Sequence, residues 1–161
     1  MKTIDINIKI RFCRLEELSE EDRQLVEMAV EATNNAYAKY SNFRVGAAVR
    51  LENGLLMKGA NQENAAFPVT LCAERTAIFA AQANYPEQPI TAIAIAAKNE
   101  SGLLGEPITP CGSCRQVMLE IEDRYKRPLR ILLYGQNGVY IVDTVKDLMP
   151  LSFVDASMKG K

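Results

Sequence analysis

Arg44-Val45-Gly46-Ala47-Ala48-Val49-Arg50-Leu51-Glu52-Asn53-Gly54-Leu55-Leu56-Met57-Lys58-Gly59-Ala60 is the stretch on which the fold turns. Two apolar runs, 44–51 and 55–60, flank Asn53-Gly54, a dipeptide that accepts the positive φ of tight hairpin turns. The spacing predicts an antiparallel hairpin. Downstream, residues 72–84 are alanine-rich with helical periodicity and end before Pro86. Ile90 to Ala97 is a buried strand run, and residues 98–110 read as a loop with two glycines and two prolines. A second helix is predicted from Cys111 to about Tyr125. Leu129–Tyr134 and Val139–Val142 read as strands around Gly135-Gln136-Asn137-Gly138, and Val145–Leu148 as a helical turn stopped at Pro150.

Upstream, Ser19-Glu20-Glu21-Asp22 opens a helix with a hydroxyl cap and an acidic first turn. Its apolar positions Leu25, Met28, Ala29, Ala32 and Ala36 carry it to about Tyr37. Residues 4–12 alternate Ile4, Ile6, Ile8, Ile10 and Phe12 with polar residues, the pattern of a half-buried strand. No repeat or flexible linker interrupts the chain. Residues 1–161 therefore read as one α/β domain, with helices on both faces of a mixed sheet of about five strands.

The chain has 161 residues and 48% hydrophobic composition, enough for a real core. Its net charge of −1 lacks the basic footprint of a nucleic-acid binder. No stretch reads as a membrane span or signal peptide, and a cytoplasmic home is expected. There is no histidine, so Ser-His and Cys-His catalysis are excluded, and a zinc site must use cysteine or carboxylate. The four cysteines are Cys13, Cys72, Cys111 and Cys114. In a reducing compartment, metal binding suits them better than disulfides.

Cys111-Gly112-Ser113-Cys114 alone is ambiguous between redox and metal chemistry. Pro110 before it and Cys72-Ala73-Glu74 upstream sharpen it into a zinc-deaminase signature, with cysteine as the first ligand. Three protein ligands leave tetrahedral zinc one open position, which marks catalytic rather than structural sites. Thiolates at helix starts are favoured by the dipole and the free backbone N–H groups. Three thiolates overcompensate Zn²⁺, and Arg75 is placed to withdraw charge from ligand sulfurs. The competing reading is a closed four-thiolate structural site that recruits Cys13. Cys13, however, sits at a strand end with no local ligand pattern.

Cys72-Ala73-Glu74-Arg75, Pro110-Cys111-Gly112-Ser113-Cys114-Arg115-Gln116, Tyr40-Ser41-Asn42-Phe43-Arg44-Val45-Gly46-Ala47-Ala48 and Asn61-Gln62-Glu63-Asn64-Ala65-Ala66 fall in order along the chain. In this the sequence resembles the small homotetrameric cytidine deaminases, from about Tyr40 to Phe153. The resemblance implies a three-layer α/β/α fold and Zn²⁺ bound by Cys72, Cys111 and Cys114. It implies that Glu74 carries a proton from water to N3 of cytosine and then to departing ammonia. The Ala73 backbone N–H would orient the pyrimidine, Asn61 and Glu63 would hold ribose hydroxyls, and Phe43 would pack against the base. Phe153 would cap a neighbouring subunit's site in a homotetramer with shared active sites.

The implied substrates are cytidine and deoxycytidine, small nucleosides rather than nucleic acid, with no membrane partner. An aminonucleoside antibiotic is the alternative substrate, and a structural zinc module the alternative without catalysis. Two departures stand out. Phe67 occupies a position where the family often has tyrosine, and residues 1–14 add an N-terminal strand.

Overall fold

The computed structural model describes residues 1–159. In chain order its elements are β1 (Ile10–Cys13), α1 (Glu20–Ala32), β2 (Arg44–Leu51), β3 (Leu56–Ala60), α2 (Ala73–Asn84), β4 (Ile90–Asn99), β5 (Gly102–Leu103), α3 (Gly112–Tyr125), β6 (Arg130–Gly135), β7 (Gly138–Val142) and α4 (Asp155–Met158). The strands form one seven-stranded sheet in the order β1-β7-β6-β4-β2-β3, with β5 paired to β4. Only β4 and β6 run parallel, because α3 crosses over between them. The sheet is mixed, as expected, but has seven strands rather than about five. The short β1 and β5 account for the difference.

Two alternating sets of side chains build the two cores. On one face Ala48, Ala92, Ala94, Ala96 and Leu132 meet Leu25, Val26 and Ala29 of α1. On the other, Ala47, Val49, Ile93, Ile95, Ile131 and Leu133 meet Ala77, Ile78 and Ala81 of α2 and Met118, Leu119 and Ile121 of α3. The result is three layers, α/β/α. Small residues let the helices approach closely. A Cβ on Gly46 would lie 2.1 Å from the Ala29 carbonyl oxygen, and one on Gly59 would lie 2.4 Å from the Ala77 nitrogen. α2 therefore rests directly on the β3 backbone.

The hairpin forms as predicted, with a three-residue loop. The Gly54 N–H and the Leu51 N–H donate to Leu51 and Leu55 carbonyls respectively, both at 2.9 Å, and Gly54 has φ of 85°. Ser19 caps α1, accepting from the Asp22 N–H at 3.3 Å. The helix ends at Ala32 rather than near Tyr37. Thr33 Oγ1 turns back onto the Val30 carbonyl at 2.7 Å, and the chain tightens into a 3-10 turn over Thr33–Asn35. Tyr37 is then used in a bridge to Gln62.

The N-terminal strand is shorter and more exposed than its alternation predicts. Pairing with β7 covers only Ile10–Cys13, and Ile4 through Phe12 are exposed. β7 stops at Val142, so among the described residues no neighbouring strand continues alongside residues 4–9. No helix among the described residues is long and apolar enough to cross a membrane.

Two buried carboxylates lock the layers. Asp22 receives Arg50 at 3.1 Å and Arg130 at 2.9 Å, joining α1 to β2 and β6. Glu122 accepts from the backbone N–H groups of Leu129 (2.9 Å) and Val145 (2.8 Å) and from the Thr144 hydroxyl (2.8 Å).

The contact at Gly59 is expected to control both stability and the site that α2 carries. Gly59→Ala forces α2 off β3 and should cost about 1–3 kcal/mol, the usual penalty of overpacking. Urea unfolding of the metal-loaded protein checks this; an unchanged midpoint would show that α2 does not depend on this close approach.

Candidate metal centre and substrate pocket

Two helices begin at cysteines. Cys72 is the N-cap of α2 and Cys111 the N-cap of α3, with Cys114 in the first turn of α3. Their Sγ atoms lie within 4.8 Å of one another, and those of Cys72 and Cys111 are 3.9 Å apart. A tetrahedral zinc with bonds of about 2.3 Å to sulfur needs sulfurs roughly 3.8 Å apart, so the cluster fits the ion. It is the one group of potential metal ligands of this kind among the described residues. Cys13 lies on β1, partly packed against the core on the α1 side, and takes no part.

The electrostatics suit an anionic cluster. The Cys72 thiol is lowered to about 5, chiefly by the hydrogen bond with Cys114, helped by Arg75 and Cys111 and opposed by burial. Cys114 is pushed up by the same hydrogen bond, then by burial and the charge of Glu74. The Arg75 Nη2 donates to Cys72 Sγ at 3.6 Å and to the Thr70 carbonyl at 3.4 Å. Its Nε is buried without a hydrogen-bond partner. An unmet cationic donor beside three thiols favours an occupied, negatively charged centre.

Glu74 follows two residues after Cys72 and is 4% exposed. It forms no salt bridge among the described residues. Burial raises its carboxyl pKa, with the Cys72 charge adding to the effect, while a hydrogen bond with Cys114 works the other way. Ala73 is the first residue of α2, so its N–H belongs to the helical turn whose donors lack carbonyl partners within the helix.

The predicted sugar-binding residues come to the same edge of the molecule. Gln62 bridges Leu71 through N–H···O bonds of 2.9 and 3.1 Å, which places Asn61 and Glu63 beside the entry to Cys72. Asn61 is largely committed to the fold. Its Oδ1 accepts from the Val45 N–H at 2.8 Å and its Nδ2 donates to the Phe43 carbonyl at 2.9 Å. One amide hydrogen and one lone pair remain. The half-buried Glu63 carboxylate accepts from the Tyr40 N–H at 2.7 Å and from the Ser41 hydroxyl, and its pKa is lowered by Ser41 first and Tyr40 next. Tyr40, Ser41, Glu63, Phe67 and Thr70 line a cavity of about 350 Å³. Phe67 and Tyr40 meet edge to face at 5.6 Å. Phe43 is half-buried against the α2/α3 core.

Phe153 stands apart from this group. Its side chain is exposed, and its carbonyl accepts from Gln116 Nε2 at 3.0 Å. Arg115 works alongside, donating to the Pro110 carbonyl at 2.8 Å and the Leu148 carbonyl at 2.9 Å. Arg115, Gln116, Tyr40 and Ser41 had been visible in the sequence only as members of motifs. Nothing in their spacing announces that the first two fasten the C-terminal stretch, or that the other two hold Glu63.

Replacing Cys72, Cys111 or Cys114 with alanine, one at a time, is expected to strip zinc from the purified protein. Cys13→Ala should retain it. Metal analysis by atomic emission checks this, and zinc loss from Cys13→Ala would point to a closed four-thiolate site.

Residues 19–126 match the family described as the cytidine and deoxycytidylate deaminase zinc-binding region. A cytidine deaminase of Halalkalibacterium halodurans is 38% identical over 138 residues, covering 85% of this chain and 98% of that protein. The crystal structure of cytidine deaminase from Burkholderia pseudomallei superposes with a TM-score of 0.71 at 39% identity, over 84% of this chain and 100% of that one. A blasticidin-S deaminase of Bacillus cereus is similar at 29% identity, over 84% of this chain and 94% of its own. On this family match over two thirds of the chain, and on relatives of nearly full coverage that share its fold, the chain belongs to the cytidine deaminase family.

Proposed function

We propose that the protein hydrolyses cytidine and deoxycytidine to uridine and deoxyuridine, releasing ammonia. The observation that carries this reading is the pairing of a three-thiol cluster with a buried glutamate that has no ion-pair partner among the described residues. A closed structural site needs a fourth ligand and has no use for Glu74.

Cys72, Cys111 and Cys114 would hold Zn²⁺, which supplies a Lewis acid with an open position that makes water acidic near neutral pH. Glu74 takes the proton from the attacking water and delivers it to N3 of the pyrimidine. Oxygen adds at C4 as a hydroxyl; Glu74 then takes the proton of that hydroxyl and passes it to the C4 amine, which leaves as ammonia as the C4 carbonyl forms. Burial raises the pKa of this carboxyl, which makes it a better acceptor of the water proton than an exposed glutamate. Arg75 offsets the surplus negative charge of the thiolates. The free N–H of Ala73 orients the base, and Phe43 packs against it. Glu63 accepts from the ribose hydroxyls, while the uncommitted amide hydrogen of Asn61 donates to them.

The assembly is a homotetramer in this reading. An exposed phenylalanine held by a backbone hydrogen bond gains most by inserting into an apolar pocket, and Phe153 is offered to a neighbour's pyrimidine site. The substrate is a free nucleoside, in keeping with the near-neutral charge of the chain. Three reduced thiols suit the cytoplasm.

Ultraviolet monitoring of the zinc-loaded protein with cytidine, deoxycytidine, free cytosine and blasticidin S tests the reading. Turnover of the two nucleosides and little of cytosine is expected; blasticidin S as the sole substrate would overturn it. Glu74→Gln should keep zinc and fold but lower kcat by at least about 10²–10⁴-fold, the usual share of general acid–base catalysis. Near-native kcat would remove Glu74 from the proton path.

Mixing addresses the shared site. Phe153→Ala chains, weakened in cytidine binding by about 1–3 kcal/mol, and Glu74→Gln chains, nearly inactive, should regain activity at low cytidine once combined in one tetramer. Verified mixed tetramers without recovery would place the capping residue elsewhere.

A further inference from the structure

β1 ends the sheet, and among the described residues one of its edges has no strand beside it. Residues 1–9 run past Val142, the last residue of β7, and have no backbone pairing among the described residues. Even so, they keep strict alternation. Ile4, Ile6, Ile8, Ile10 and Phe12 fall on one face, each between 47% and 72% exposed. Phe12 continues this stripe onto the sheet, its ring 5.2 Å from that of Tyr140. Thr3, Asp5, Asn7, Lys9 and Arg11 fall on the other face. Arg11 is paired with Asp143. Asp5 and Lys9 have no ion-pair partner among the described residues.

Natural edge strands are blunted by shortness, proline, bulges or an inward charge. The apolar face of this arm carries neither proline nor charge. It also precedes residue 19, where the family match begins, so the family's common core supplies no cover for it.

We propose that the arm pairs with the arm of a second copy of this chain, as an antiparallel ribbon about a two-fold axis through Asn7. The sequence is self-complementary in that register. Asp5 of each copy faces Lys9 of the other, Ile6 faces Ile8, Ile4 faces Ile10, and Asn7 faces itself. Directly opposed residues share a face, so both isoleucine stripes form one apolar band. Other registers are poorer. Centring on Asp5 or Lys9 opposes like charges, and centring on Ile6 leaves both charges facing neutral residues. Centring on Ile8 sets Asp5 against Arg11, already held by Asp143, and leaves Lys9 facing Asn7. A slip of one residue sends the two stripes to opposite faces. The pairing joins two sheets edge to edge and requires nothing of the catalytic chemistry.

The test uses the full, zinc-loaded chain, with circular dichroism and metal content as checks of folding. Asn7→Cys in a Cys13→Ser background should form a covalent dimer on mild oxidation. Opposed residues there have Cα atoms about 4.5–5.5 Å apart, within disulfide reach. Thr3→Cys, far from its own symmetry mate, should not crosslink, and peptide mapping must place the bond at residue 7. Asp5→Lys or Lys9→Asp alone sets like charges together and should raise the concentration for half-association, read by sedimentation, about tenfold. The double variant restores opposite charges and should return it towards the parent value. Crosslinking at residue 7 no better than at residue 3, or a double variant as weak as the singles, overturns the proposal. Neither readout depends on deamination, so this result stands or falls separately from the catalytic assignment.

Discussion

Two helix N-termini face each other across three thiols, and the rest of the site depends on this arrangement. Each end presents unpaired N–H groups and the positive pole of its dipole. Two such poles repel unless negative charge lies between them. The cysteines at the head of α2 and in the first turn of α3 supply that charge. The ion they suit then bridges elements nearly forty positions apart in the chain. The fold itself only has to bring the two helix starts close, and it does so with small residues. Alanines on α2 and glycine on β3 set the helix height above the sheet, and with it the height of the first ligand and the buried glutamate. Packing and chemistry here share one coordinate.

Sequence legibility followed the range of the interactions. The hairpin at residues 44–60, the two cysteine-headed helices and the strand at residues 90–97 were readable because period, turn chemistry and capping are local. The three-layer arrangement followed from them. Ends of elements were less visible. α1 stops at Ala32 because the threonine after it prefers its own backbone hydrogen bond, and because Tyr37 is needed elsewhere, at Gln62. The N-terminal alternation was real, but alternation reports what a strand could bury and says nothing about whether a neighbour is present. β5 is two residues long and rests on its pairing with Lys98 and Asn99, a contact no local pattern encodes.

The site divides in the same way. The cysteines and Glu74 were legible because metal chemistry demands particular residue types at particular spacings. Asn61 and Glu63 stood out by resemblance, but their present employment did not. Asn61 ties the start of β2 to the end of β3, and Glu63 holds the Tyr40–Ser41 turn. A single side chain thus serves the scaffold with some of its hydrogen-bonding capacity and keeps the remainder for a ligand. Of the buried carboxylates, Asp22 is legible in the sequence only as part of an acidic first turn, and nothing local marks Glu122. Their roles rest on partners distant in sequence, such as Arg130 and Val145.

The guanidinium of Arg115 has a wider consequence. Its Nε donates to the carbonyl just before the Cys111 turn and its Nη1 to the carbonyl of Leu148. The turn and the C-terminal stretch are therefore thermodynamically linked. Whatever orders the tail also steadies the metal-binding turn, and by reciprocity metal loading favours an ordered tail by the same factor. A fusion or truncation at the C-terminus would then register first as a change in metal affinity, well before it altered the stability of the sheet.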